Sequence, residues 1–433
     1  MSTFTYRKDR QRTISFPVGG LGTGSIGIAG NGNFIDWQVY NRPAFHTRNG
    51  YSHFAVKAQD ETGLLDARVL VSDLAKPYMG QVDERTMLGL PHFRELVFEG
   101  KYPMAELAFQ DERFPGRVSV RYYNPRIPLN DKDSSIPVLF ADILVENTAD
   151  HEICYTTAGV ITNPNKAELT SNHYMEREGI RGIRFASEAV DSADTTYSDF
   201  TLATDAENVC CQEYWFRGNW RDHVETYWRE FASGQSLQNR RYGESLKNYK
   251  DTGMLCATAV LAPGQKQEFH YCLTWNVPNC SNYWSGLNIS TSNIHYDVND
   301  RTPWKNYYAV LFEDSTASAV YSLANRARLY EETGGRARTE NAESPAEVTH
   351  RRASVFLLCI SDSMPASRRE GRMASQRRTL IGRAFLPSGL SGRIPSLHRQ
   401  APAPGVRVRR GREALARREG QESVRPDACP GCG

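Results

Sequence analysis

Apolar positions in this chain alternate with polar ones far more often than they recur at helical spacing. Between His53 and about Ile161 the strand-like runs are His53–Lys57, Ala67–Ser72, Phe93–Phe98, Arg117–Tyr123, Val138–Val145 and Ile153–Thr157. Turn residues separate them, and Asn147-Thr-Ala-Asp150 reads as a hairpin between the last two. The same signal returns at Met254–Leu261 and Glu268–Trp275. Two stretches read as helix instead. Trp220, Val224, Tyr227 and Phe231 form one apolar stripe over 219–231, with Asp222, Glu225 and Glu230 on the solvated side. Ala319, Val320, Leu323, Ala327 and Tyr330 form another over 314–333, which Asp314-Ser315 start and Gly334-Gly335 stop. Many short strands without long helices between them predict a mainly β fold, a two-sheet antiparallel β-sandwich with two short helices. Tyr123–Pro137, with three prolines, predicts a fixed extended loop, and 234–250 a polar one.

The chain is organised around Phe16–Phe45, FPVGGLGTGSIGIAGNGNFIDWQVYNRPAF. Asn31-Gly32 lies between two apolar runs and predicts a tight hairpin. Asn41-Arg42-Pro43 closes its second strand, because proline cannot continue a central ladder. Gly22-Thr-Gly24-Ser-Ile-Gly27 has the spacing of a dinucleotide-binding turn. That motif must open a helix. Here a glycine-interrupted strand comes next, so nucleotide binding is rejected.

Composition alters this picture mainly at the C-terminal end. The net charge of +2 conceals +10 after Gly334, where 19 arginines, no lysine and nine acids occur, and −8 before it. All seven tryptophans lie at or before Trp304 and every tyrosine at or before Tyr330. Residues 334–433 therefore lack the apolar surface to order themselves and read as a disordered arginine-rich tail. Arginine without lysine is what out-of-frame translation of G+C-rich coding sequence gives, so a frameshift or gene-model artefact is expected there. The rival is an arginine-rich nucleic-acid arm; missing stacking aromatics and an acidic front part argue against nucleic acid. Cys429-Pro-Gly-Cys432 has no second pair to complete a metal site. The other cysteines read as buried thiols of a reducing compartment. No apolar run succeeds the N-terminal charges and none could span a bilayer, so a cytoplasmic address is expected, and Asn279-Cys-Ser and Asn288-Ile-Ser carry little weight as glycosylation sites.

Phe16-Pro-x-Gly-Gly-Leu-Gly-Thr-Gly-Ser25 and Gly32-Asn-Phe-x-Asp-Trp37 resemble the opening of the N-terminal domain of glycoside hydrolase family 116, the bile-acid β-glucosidase or non-lysosomal glucosylceramidase type. The asparagine-proline and aspartate-serine-serine loop at 123–137 and Trp275-Asn-Val-Pro-Asn279 resemble it in two further places. The resemblance implies a β-sandwich over 1–333, with the 314–333 helix leading to a catalytic (α/α)6 barrel. After Gly335 no barrel pattern appears.

It further implies a retaining β-glucosidase acting on β-glucosides or glucosylated lipid. Retention needs two carboxyl groups about 5–5.5 Å apart, which in the family sit in the barrel. No catalytic residue is therefore assigned, no metal or other cofactor is expected, and the chain alone is expected to be inactive. Candidate substrate-binding residues, facing a sugar or a domain interface, are Trp37, Arg42, Trp275 and Trp284. Trp37 is also expected to anchor its hairpin to the core. If the tryptophans are exposed, a stand-alone carbohydrate-binding sandwich becomes the alternative. Self-association through an uncovered barrel-docking face is expected.

Overall fold

The computed structural model describes residues 4–73, 84–167, 169–217, 222–241, 246–247, 250–281 and 303–335. The fold is mainly β, as the alternation requires. One ten-stranded sheet runs Thr5–Tyr6, Glu95–Lys101, Met104–Gln110, Arg117–Tyr123, Val138–Glu146, Lys266–Asn276, Asp199–Thr204, Ile180–Ser187, Leu169–Arg177 and Leu246–Lys247. A six-stranded sheet runs Val209–Gln212, Thr252–Leu261, Ile153–Thr162, His53–Asp60, Gly63–Ser72 and His92–Phe93. Pairing is antiparallel throughout both except at the His92–Phe93 edge. A three-stranded sheet, Ser15–Val18, Ser25–Ala29 and Phe34–Gln38, holds the glycine-rich opening.

The apolar faces of the two large sheets meet in one core. Phe54 of the six-stranded sheet lies 5.4 Å from the Tyr271 ring and 6.4 Å from Tyr122, both on the ten-stranded sheet. The small sheet plugs one end, where Phe34 lies 5.8 Å from Phe54 and 5.9 Å from Tyr122. Edge-to-face rings at these spacings add to what area burial contributes.

Each outer face has a helical cover. Asp222–Phe231 lies on the six-stranded sheet, with Tyr227 stacked 4.0 Å from Trp215. Buried Lys57 reaches beneath its C-terminal end, donating to Ser233 O and Gln235 O at 3.4 Å, where a cation suits the helix dipole. Ser315–Ala324 and Arg326–Tyr330 lie on the ten-stranded sheet over Phe140, Tyr123 and Cys272.

The glycine-rich stretch leads into the Ser25–Ala29 strand, not a helix. Gly24 has φ +82°, and a Cβ there would stand 2.2 Å from Gln38 O. Backbone packing, not phosphate cradling, explains it. The hairpin turns at Asn31-Gly32, with Gly32 N–H donating to Ala29 O at 2.9 Å and Gly32 at φ +94°. Its second strand stops at Gln38, earlier than the apolar run to Tyr40 suggests.

Three expectations need adjustment. The 123–137 loop is not extended throughout: Asp131–Ser134 makes a helical turn capped by the Asn130 side chain. The 314–333 helix breaks at Asn325, and Gly334 at φ +96° ends the turn beyond Tyr330. The polar 162–212 region, which showed no strand run, supplies four strands. Residues 219–221 of the first predicted helix and the tail from 336 onward lie outside the described residues.

Candidate functional site

The loop after the Phe34–Gln38 strand is held by its own side chains. Asp36, at φ +50°, accepts from Ser15 Oγ and from His46 N–H, both at 2.6 Å. Thr47 Oγ accepts from Trp37 N–H at 2.9 Å and donates to Ala44 O at 2.7 Å. Tyr40 OH donates to Pro164 O at 2.6 Å. Asn41, at φ +57°, donates to Asn279 O at 3.1 Å and accepts from Asn306 at 2.8 Å. With His46 at φ +59°, two non-glycine residues of the loop, and Asp36 of the strand before it, occupy the left-handed region. Each such residue costs on the order of 1–3 kcal/mol, which the surrounding bonds must hold. Arg42, Pro43, Phe45 and His46 stand exposed on this braced loop, Phe45 at 64%.

Of the candidate site residues, only Arg42 among those described faces solvent. Trp37 is 2% exposed and packs edge-on against Phe34 at 6.5 Å. Trp275 is 0% exposed and donates from Nε1 to Thr23 O at 2.8 Å. A sugar-facing or interface-facing role for these two is corrected: their rings are covered by this chain's own core. Trp37 is instead the core anchor that its place after the hairpin suggests. Trp284 lies outside the described residues.

Beside the loop stand two cations that no motif marked. Lys166 Nζ sits 4.1 Å above the Tyr40 ring. Asn163 N–H donates to Asp251 O at 2.8 Å, which brings Lys250 to the same rim. The signal in sequence is nil, because the three cations are more than a hundred residues apart at the extremes.

The buried carboxylates elsewhere are engaged. Asp111 takes Arg68 at 2.7 Å and Arg113 at 3.0 Å, and Asp251 takes Arg217 through both oxygens at 2.9 and 2.7 Å. Asp133 takes Arg328 at 2.8 Å and Tyr321 OH at 2.7 Å. Asp199 accepts from Ser315 N–H and Asn276 at 2.9 Å. One cluster separates acid from base. Burial pushes Asp142 up to about 6 against the pull of Arg326 at 2.9 Å. Neighbouring Glu268, hydrogen-bonded to His270, is held below its ordinary value. Such divergence marks acid/base pairs in active sites. Here both carboxylates share Arg326 and Arg121, and the Asp142 side chain is 0% exposed beneath the Arg326–Tyr330 helix. No substrate reaches it, so the cluster is a clamp on that helix.

The family model described as "beta-glucosidase 2, glycosyl-hydrolase family 116 N-term" matches residues 15–329. The chain belongs to glycosyl-hydrolase family 116. The match takes in every described strand but the first, so the family 116 N-terminal region accounts for almost all of the described β structure. Among solved structures, a bacterial glucoamylase complexed with acarbose is similar at 8% identity over 83% of this chain, TM-score 0.39. The galactosidase domain of an alpha-galactosidase-sucrose kinase is similar at 11% identity over 53%, TM-score 0.24. This family 116 chain spans only 41% and 40% of their respective lengths. Family membership rests on the family match alone.

Proposed function

We propose that residues 1–333 are the two-sheet β-sandwich N-terminal domain of a retaining β-glucosidase of family 116, acting on β-glucosides or glucosylated lipid only together with a catalytic barrel. The observation that supports this reading is the state of the carboxylates. Asp66 and Asp111 share Arg68, and Asp142 and Glu268 share Arg326, so neither of these pairs is free. A retaining site needs a free pair on one sugar. We read residues 334–433 as a broken reading frame, which sequencing the gene past codon 334 in three frames checks.

Leu129, Tyr307 and Val310 form the face offered to the barrel. They are 108%, 47% and 72% exposed, and Tyr307 OH donates to Asp131 at 2.9 Å beside Leu129. The chain's exit is close by, since Arg126 N–H donates to Thr333 Oγ at 3.1 Å. Uncovered, this face favours self-association. Six free cysteines among the described residues suit a cytoplasmic address. No helix among the described residues is long and apolar enough to cross a membrane. The stand-alone carbohydrate-binding reading loses two of its three tryptophans, Trp37 and Trp275, to the core, and the third, Trp284, lies outside the described residues.

The test compares this chain with the same domain joined to the restored downstream frame on an aryl β-glucoside. Turnover by the joined form alone is expected. Turnover by the short chain, abolished by one Asp or Glu substitution within 1–333, overturns the reading.

A further inference from the structure

We infer that Cys210 and Cys256 form a redox site, a cross-strand thiol pair that a low-molecular-weight disulfide converts into a Cys210–Cys256 bond. The inference goes beyond the glucosidase reading and does not depend on it. Strand register brings the two residues together. Val209–Gln212, the edge strand of the six-stranded sheet, runs antiparallel to Thr252–Leu261 with Cys210 directly opposite Cys256. Thr258 N–H donates to Asn208 O at 3.1 Å, two residues along the same ladder. Cys211 turns the other way, its N–H donating to Asn239 Oδ1 at 2.9 Å and its carbonyl accepting from Arg240 N–H at 3.0 Å. Cys210 and Cys256 therefore occupy a hydrogen-bonded position, where facing Cα atoms stand about 5.5 Å apart. A disulfide spans about 4.4–6.8 Å between Cα atoms. Among the six free cysteines described, no other two are strand partners.

Both side chains lie on the sheet's outer face, in the cluster that the Asp222–Phe231 helix covers. Cys256 is buried there, and Cys210 is half-buried at the sheet's edge, so the oxidant meets Cys210 first. The Cys210 thiolate attacks one sulfur of the small disulfide and expels the other as a thiolate. Cys256 then gives up its proton and attacks the Cys210 sulfur of the mixed disulfide, expelling the second small thiolate. Two cysteine thiols are oxidised, one disulfide is reduced to two small thiols, and both protons end on those thiols. Burial pushes Cys210 up to about 11; Glu230 adds to that push, and Arg241, Lys57 and Arg240 oppose it. Thiolate is therefore scarce at neutral pH and oxidation is slow, gaining about tenfold per pH unit well below that value. The finished bond pins the edge strand to its neighbour and closes a loop that contains the Asp222–Phe231 helix.

The test incubates the full chain with glutathione disulfide at about pH 7, 8 and 9 and maps its peptides without reduction. A peptide joined through Cys210 and Cys256 is expected, forming about tenfold faster with each pH unit and disappearing with dithiothreitol. Cys256→Ala is expected to hold glutathione on Cys210 as a mixed disulfide, because the resolving thiol is gone. Cys210→Ser is expected to leave Cys256 unmodified, and Cys154→Ser to behave as the parent does. A parent whose Cys210 and Cys256 remain thiols overturns the inference. So do bonds confined to Cys359, Cys429 and Cys432, and so does a Cys210–Cys256 bond that forms no faster at the higher pH.

Discussion

Replacing Trp37 by alanine removes a ring packed against Phe34 at the junction of all three sheets. The expected cost is roughly 3–5 kcal/mol, read as a lowered denaturation midpoint; a variant that unfolds like the parent contradicts the burial. Trp275→Phe keeps most of the bulk but strands Thr23 O without its indole donor, and about 1–3 kcal/mol should be lost. His270 gives a dependence on pH. Burial pulls it down, but hydrogen bonds to Asp205 at 2.9 Å and Glu268 at 3.2 Å outweigh that and hold it up at about 9. A folded-state value above the unfolded one means its stabilisation is full below about pH 6.5 and fades as pH rises toward 9. His270→Gln should flatten the fall in melting temperature across that window. A parent whose stability does not change there would show the imidazolium is not held. Arg42, Trp37 and Trp275 were legible as special in the sequence, but their exposure was not. Whether a tryptophan in a strand faces core or solvent depends on which sheet covers it, and that partner is remote in sequence.

Elements were legible where alternation was strong. His53–Asp60, Arg117–Tyr123, Val138–Glu146 and Lys266–Asn276 all fall where apolar runs placed them. The strand Leu169–Arg177 escapes the apolar pattern for a physical reason. Its fully buried positions are Thr170, Ser171 and Asn172, and the Asn172 Oδ1 accepts from Asn163 Nδ2 at 2.9 Å. A pattern of apolar residues cannot register a strand that buries amides. The exit helix shows the converse, since its cap was readable. Asp314 accepts from Ala317 N–H at 2.7 Å, and Asp314→Ala should cost about 1 kcal/mol in chemical denaturation. An unchanged midpoint would mean the Asp199 carboxylate, which accepts from Ser315 N–H, caps the helix alone.

At the scale of the molecule, exposed Leu129 and Val310 predict concentration-dependent association, measurable by analytical ultracentrifugation. Leu129→Gln with Val310→Gln should leave the chain monomeric with its melting temperature unchanged; persistent dimers would place the contact elsewhere. The clamps on the exit segment have a consequence for motion. Ser315 N–H ends on Asp199, Arg326 on Asp142 and Arg328 on Asp133, so three buried carboxylates from separate parts of the body hold the start of the Ser315–Ala324 helix and the Arg326–Tyr330 turn after its break. Helix ends ordinarily fray in microseconds, far below the threshold of global opening. Here the amides of Ser315 and Ala317 should trade hydrogen for deuterium only as often as the whole body opens. The segment by which the domain would be tethered to anything downstream is then a rigid axle, without a hinge before residue 330.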